Sequence, residues 1–234
     1  MTENIMAGNS LLYLLFAIPP VILAGLARNM LTSRYAKACK APSSVTGAAA
    51  ARAILDSAGL QSIAIERIPG TLSDHYDPRA KVLRLSENSY SGRNLAAVGV
   101  AAHEAGHALQ DAQHYKPMLV RQAAVPLASF GSNSAMVLML LGATMNMLAL
   151  ILAGIVCFGF VTFLQIINLP VEYDASARAK RQLESLGVIT SNELPMVRSM
   201  LSAAALTYVA AMLSSLLQFL YFAMRFLGSS NRSR

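Results

Sequence analysis

The stretch from Val125 to Leu169 is all but uncharged, and no other feature restricts the fold of the chain as much. One membrane-spanning helix takes about 20 apolar residues, so this stretch suits two. Gly142 to Asn146 is the weak point where the chain can turn. A helical hairpin with both ends on one side of a bilayer follows. Two more apolar runs flank it, Ser10 to Ala27 and Met200 to Leu227. Pro19-Pro20 should kink the first without disqualifying it as a span. That run reads as a span rather than a cleaved signal peptide, because only Glu3 and no basic segment precedes it. Composition agrees: 13% of the residues are charged, against roughly 25% in soluble domains.

The net charge of +7 does not point to nucleic acid, because the basic residues form no long run. Many sit just outside apolar segments. The hairpin puts regions 28–122 and 170–198 on one side. That side carries Arg28, Arg34, Lys37, Lys40, Lys116, Arg121, Arg178, Lys180, Arg181 and Arg198 near span ends, and the other carries Arg225, Arg232 and Arg234. The positive-inside rule places the richer side in the cytoplasm. The two cysteines form no CxxC pair and imply no disulfide framework. Cys157 reads as a packing residue and Cys39 as an ordinary thiol.

Between the first span and the hairpin the pattern changes. Ser43, Ser44 and Thr46 offer N-caps to a helix through Ala48–Ala58, stopped by Gly59. Ile63 to Ile68 alternates as a short strand, Ser73 to Pro78 reads as a turn-rich loop, and Lys81 to Leu85 is the clearest strand. A helix then runs from about Gly92 to Gln113. The division expected is an N-terminal transmembrane helix (1–31), a small α+β region (32–122), a transmembrane hairpin (123–169), a helix carrying a further acidic group (170–199), and a C-terminal transmembrane helix with a basic tail (200–234). The fold class is a mainly α membrane protein with about four transmembrane helices and a small α+β part.

Within the 92–113 helix lies His103-Glu104-Ala105-Gly106-His107, an H-E-x-x-H motif. Positions i and i+4 lie one above the other on a helix face, so both imidazoles can reach one Zn²⁺ ion. Glu104 is placed to act as general base on a water made acidic by the metal, with peptide hydrolysis as the outcome. Ala101, Ala102, Ala105 and Gly106 keep the helix slim around the motif. A metzincin would have Gly at 110 and His at 113; both are Gln. His114 lies two turns past His107, about 10.8 Å along the axis, too far to share the metal. The third ligand is sought in Pro170-Val171-Glu172-Tyr173-Asp174-Ala175-Ser176, where Pro170 can open a helix as the third span leaves the membrane. Glu172 is the choice and Asp174 the fallback. Asp111 is a candidate to orient an imidazole. His75, Tyr76, Tyr173 and Arg178 are candidate oxyanion donors. Strand 81–85 could offer an open edge to an extended peptide.

These residues resemble the YugP-type neutral zinc metallopeptidases of bacterial membranes. The likeness is carried by Gly70 to Pro78, Leu85-Ser86-Glu87, Val100 to Gln110 and Pro170 to Ser176, in order and over nearly the whole chain. The family is similar in plan to HtpX-like membrane proteases. The resemblance implies a zincin-like fold and a gluzincin site, with zinc on His103, His107 and Glu172 and with Glu104 as base. HtpX-like proteins carry Asp four residues after the glutamate ligand, where this chain has Ser176.

The function expected is a multi-pass, membrane-anchored zinc metallopeptidase acting on membrane or membrane-proximal proteins, its partners being a protein or peptide substrate and the bilayer. The alternative is a non-catalytic zinc-binding scaffold or a regulator of another protease. An intramembrane site-2 type protease needs the motif inside a span, yet Arg93 and Asp111 flank it. A zinc transporter needs polar ligands strung through the membrane, and these spans have almost none.

Overall fold

The computed structural model describes the backbone of residues 2–230 and the side chains of residues 13–226. Among the described residues seven helices and three strands follow in the order α1 (Thr2–Lys40), α2 (Gly47–Ser57), β1 (Ala64–Ile68), β2 (His75–Asp77), β3 (Val82–Ser86), α3 (Glu87–Ser91), α4 (Leu95–Ala112), α5 (Lys116–Thr144), α6 (Leu148–Ser185) and α7 (Leu194–Ser230). The protein is mainly α. Four helices are long and apolar enough to cross a membrane among the described residues: Tyr13–Lys40, Lys116–Thr144, Leu148–Ser185 and Leu194–Phe226. The chain divides into two compact units.

One unit takes in the chain up to Leu26, Val120–Leu169, and the chain from Thr207 onward. Its small interior is built from Ala135, Met139, Ile151, Ile155 and Cys157, with Phe158, Phe219 and Phe222 packed against them. Its outer surface is apolar instead of polar: Leu14, Val21, Phe130, Leu140, Val156 and Phe163 are all exposed. An apolar exterior of this extent fits hydrocarbon as the surrounding solvent. The expected hairpin is present, with α5 ending at Thr144, α6 starting at Leu148, and Asn146 in the left-handed region at φ 52°.

The other unit comprises Ala27–Leu119 and Pro170–Leu206. Thr46 caps α2, its Oγ1 accepting the Ala49 N–H at 3.1 Å. The chain leaves that helix through Gly59 at φ 75°, a conformation costly for a residue with a Cβ. The sheet has the order β1-β3-β2, with β1 parallel and β2 antiparallel to β3. Leu83 and Leu85 point from β3 into a core shared with Ile54, Leu55, Leu95, Val98, Val171, Leu183 and Val197, all but sealed from solvent. Burying each such side chain contributes about 1.5–3 kcal/mol.

Three local expectations need correcting. His75–Asp77 is a strand, not a loop, because its backbone pairs antiparallel with Val82–Arg84 of β3. Arg84 also pairs with Asp77, whose Oδ1 takes the Arg79 and Ala80 N–H groups in the turn into β3. In consequence β3 is the central strand and offers no open edge. Pro170 opens no new helix, because α6 runs through it without a break from Leu148 to Ser185. Its missing N–H and ring are tolerated there, as proline is in long apolar helices.

Candidate metal centre

Helix α4 begins where Asn94 Oδ1 accepts the Ala97 N–H at 2.9 Å. Two turns later it presents His103, Glu104 and His107. Ala101, Ala102, Ala105 and Ala108 are wholly buried around them. Small residues let another main chain come close. A Cβ on Gly106 would stand 2.5 Å from the carbonyl oxygen of Ala175 on α6. Glycine here is therefore a condition of the helix contact that carries Glu172 to the two imidazoles.

The resulting geometry is tight. Glu172 Oε2 lies 3.1 Å from His103 Nε2 and 3.7 Å from His107 Nε2. The two rings are edge-to-face, with centroids 4.8 Å apart. Among the described residues these three form the one group of three or more His, Cys, Asp or Glu side chains able to hold a metal ion. Their chemistry fits zinc, which takes imidazole nitrogen and carboxylate oxygen. Donors at about 2.1 Å from a tetrahedral zinc stand about 3.4 Å from one another, and the two separations from Glu172 Oε2 straddle that value. His107 and Glu172 are buried, while His103 keeps some access to solvent.

Each imidazole is also held from behind. His103 Nδ1 is 3.1 Å from Ser176 Oγ, and His107 Nδ1 is 3.0 Å from Gln110 Oε1. These contacts leave the Nε2 atoms facing the carboxylate. Ser176 lies one turn beyond Glu172, so a single face of α6 touches both nitrogens of His103. Asp174 is turned to other partners. Its Oδ2 accepts from Gln110 Nε2 at 2.9 Å and pairs with Arg178.

Glu104 is tied to the sheet, its Oε2 accepting the Tyr76 backbone N–H at 3.1 Å. The Tyr76 phenol donates to Asp111 Oδ2 at 2.7 Å, and Lys81 pairs with the same carboxylate. Burial, reinforced by the bond to Asp111, pushes the phenol well above its ordinary value, so it stays a donor. Asp77, next in β2, goes the other way. The Arg84 guanidinium, with the Ala80 and Arg79 N–H groups, lowers it to about 2.

The other candidate oxyanion donors differ in their surroundings. His75 is exposed, its Nδ1 2.8 Å from the carbonyl of Ser73. Tyr173 is exposed on α6. Arg178 binds Asp174 and Gln113 and lies over the Tyr115 ring, 5.6 Å from its centroid. Sequence reasoning missed Gln110 as a member of the site, and it missed the Tyr76 N–H. The signal for Gln110 was available: it falls one turn after His107, the position from which a side chain reaches back to that ring.

A family model described as "Putative neutral zinc metallopeptidase" matches residues 13–227. The chain is 44% identical over 225 residues to the "Putative membrane protease YugP" of Bacillus subtilis (strain 168), an alignment covering 95% of this chain and 100% of that protein. No solved structure matches the chain.

Proposed function

The chain belongs to the neutral zinc metallopeptidase family, and from that premise we propose that it is a membrane-anchored endopeptidase of the gluzincin type. His103, His107 and Glu172 would hold the zinc and Glu104 would be the general base. The observation that carries this reading is the Glu172 carboxylate, brought from a distant helix to 3.1 Å and 3.7 Å from the two Nε2 atoms. Zinc, when bound, supplies Lewis acidity, making a water acidic near neutral pH and polarising the scissile carbonyl.

The remaining work falls to the chain. Glu104 would accept the proton of the attacking water and pass it to the leaving amine nitrogen. The Tyr76 N–H holds one of its oxygens and so restrains the carboxylate. Ser176 and Gln110 keep the imidazoles from turning. The basic residues that flank the spans favour a cytoplasmic location for the site. Together with the apolar outer face of the other unit, this supports membrane or membrane-proximal proteins as the substrate class.

The test is Glu104→Gln in the full-length, detergent-purified protein. The variant should keep its zinc and lose cleavage of an unfolded protein substrate. Cleavage at the wild-type rate would refute the assignment of the base.

A further inference from the structure

We infer that Gln110 is a positioning residue that fixes which nitrogen of His107 faces Glu172 and locks the H-E-x-x-H helix to the helix bearing Glu172. The inference rests on the zinc site proposed above and extends it by one residue.

The chemistry of the partners decides the orientation of the amide. Val171 O, 2.7 Å from Gln110 Nε2, is a backbone carbonyl and can only accept. The NH₂ end of the amide must therefore face α6, where its second hydrogen meets the Asp174 carboxylate at 2.9 Å. The oxygen end is then the one 3.0 Å from His107 Nδ1. An amide oxygen carries no proton, so Nδ1 must supply it. Nε2 is left with its lone pair on the side of Glu172. A backbone carbonyl on one helix thus sets the tautomer of a histidine on another.

The same amide spans the helix contact. Its donors grip Val171 and Asp174, which bracket Glu172 in sequence, so the third carboxylate is held in register with α4. Gln110 is 0% exposed, which leaves no room for water to substitute. A methionine, of similar length, would fill the space with a thioether that has no donor for Val171 or Asp174 and only a weak acceptor for His107. A carboxylate could hold His107 but would set acceptor against acceptor at Val171 and Asp174.

The full-length protein in detergent can be tested by competing its zinc with a chromogenic chelator, and by recording the visible spectrum after cobalt(II) replacement. Partners that orient a ligand are worth about 10–100-fold in metal affinity. Gln110→Met should lose that much and shift the cobalt bands. Gln110→Glu should also weaken binding. Adding Asp174→Asn gives the new carboxylate an amide donor and should recover part of the loss. If Gln110→Met does not fold, Gln110→Glu with and without Asp174→Asn decides alone. Wild-type zinc affinity and cobalt bands in the single variants, or no recovery in the double variant, would overturn the role of Gln110. Wild-type protein without stoichiometric zinc would overturn the proposed metal site instead.

Discussion

Tyr76 holds Glu104 through its backbone, the N–H donating to Oε2 across 3.1 Å, and it is itself held by the helix that carries Glu104. Its phenol returns to Asp111, two turns farther along α4, at 2.7 Å. Strand β2 is thereby fastened to α4 at two points, and Lys81, just before β3, adds an ion pair at the second.

Removing that second point leaves the proposed zinc ligands untouched. Tyr76→Phe takes away one hydrogen bond to a buried carboxylate that retains Lys81, a loss of about 1–2 kcal/mol. At roughly 2–4 °C per kcal/mol for a chain of this size, the melting temperature should fall by several degrees while zinc content stays at the wild-type level. An unchanged melting temperature would show that the phenol contributes nothing.

Gly106 tests the helix contact itself. In Gly106→Ala the new methyl meets the Ala175 carbonyl, a main-chain atom that cannot swing aside. Overpacking of this kind costs about 1–3 kcal/mol, and moving α6 away relieves it only by withdrawing Glu172. Zinc should bind about ten- to a hundredfold more weakly, as read by chelator competition. Binding as tight as wild type would mean that α4 and α6 need not touch.

How much of this was legible in the sequence follows the range of each signal. His103, Glu104 and His107 are set by helical spacing, which operates within one turn, and the structure keeps them on one helix. The Thr46 cap and the turn before Leu148 are equally local. Asp74, Asp77 and Pro78 speak for a turn over the β2 segment, while the antiparallel backbone pairing with β3 that makes it a strand exists only once β3 is in place. Pro170 was given the meaning it has at the start of a helix, although the apolar pattern on both sides carries α6 straight through it. Gln110 is a neutral amide with no charge to mark it, and its role depends on Val171 O and Asp174, far away in sequence.

Acid should erase the contribution of Asp77 in a defined window. Its folded value, about 2, lies below the ordinary 3.8, so the native state binds the proton less tightly than the unfolded chain. The stabilisation is complete above about pH 4 and declines as pH falls toward 2. The melting-temperature difference between wild type and Asp77→Asn should be constant from pH 7 to 5 and shrink below pH 4. A difference that grows on acidification would contradict the ion pair with Arg84.

The orientation can be read with a native probe. Cys39 is exposed near the end of α1, whereas Cys157 is buried. In intact cells a membrane-impermeant maleimide should leave Cys39 unmodified and should label it after permeabilisation. Labelling from outside would reverse the topology.

The most direct measurement is zinc stoichiometry on the purified full-length chain and two single variants, Glu172→Gln and Asp174→Asn. One zinc per chain is expected in the wild type, retained in Asp174→Asn and lost in Glu172→Gln. A wild-type chain without zinc, or a Glu172→Gln chain that keeps it while Asp174→Asn does not, would contradict the convergence of His103, His107 and Glu172 on a single ion.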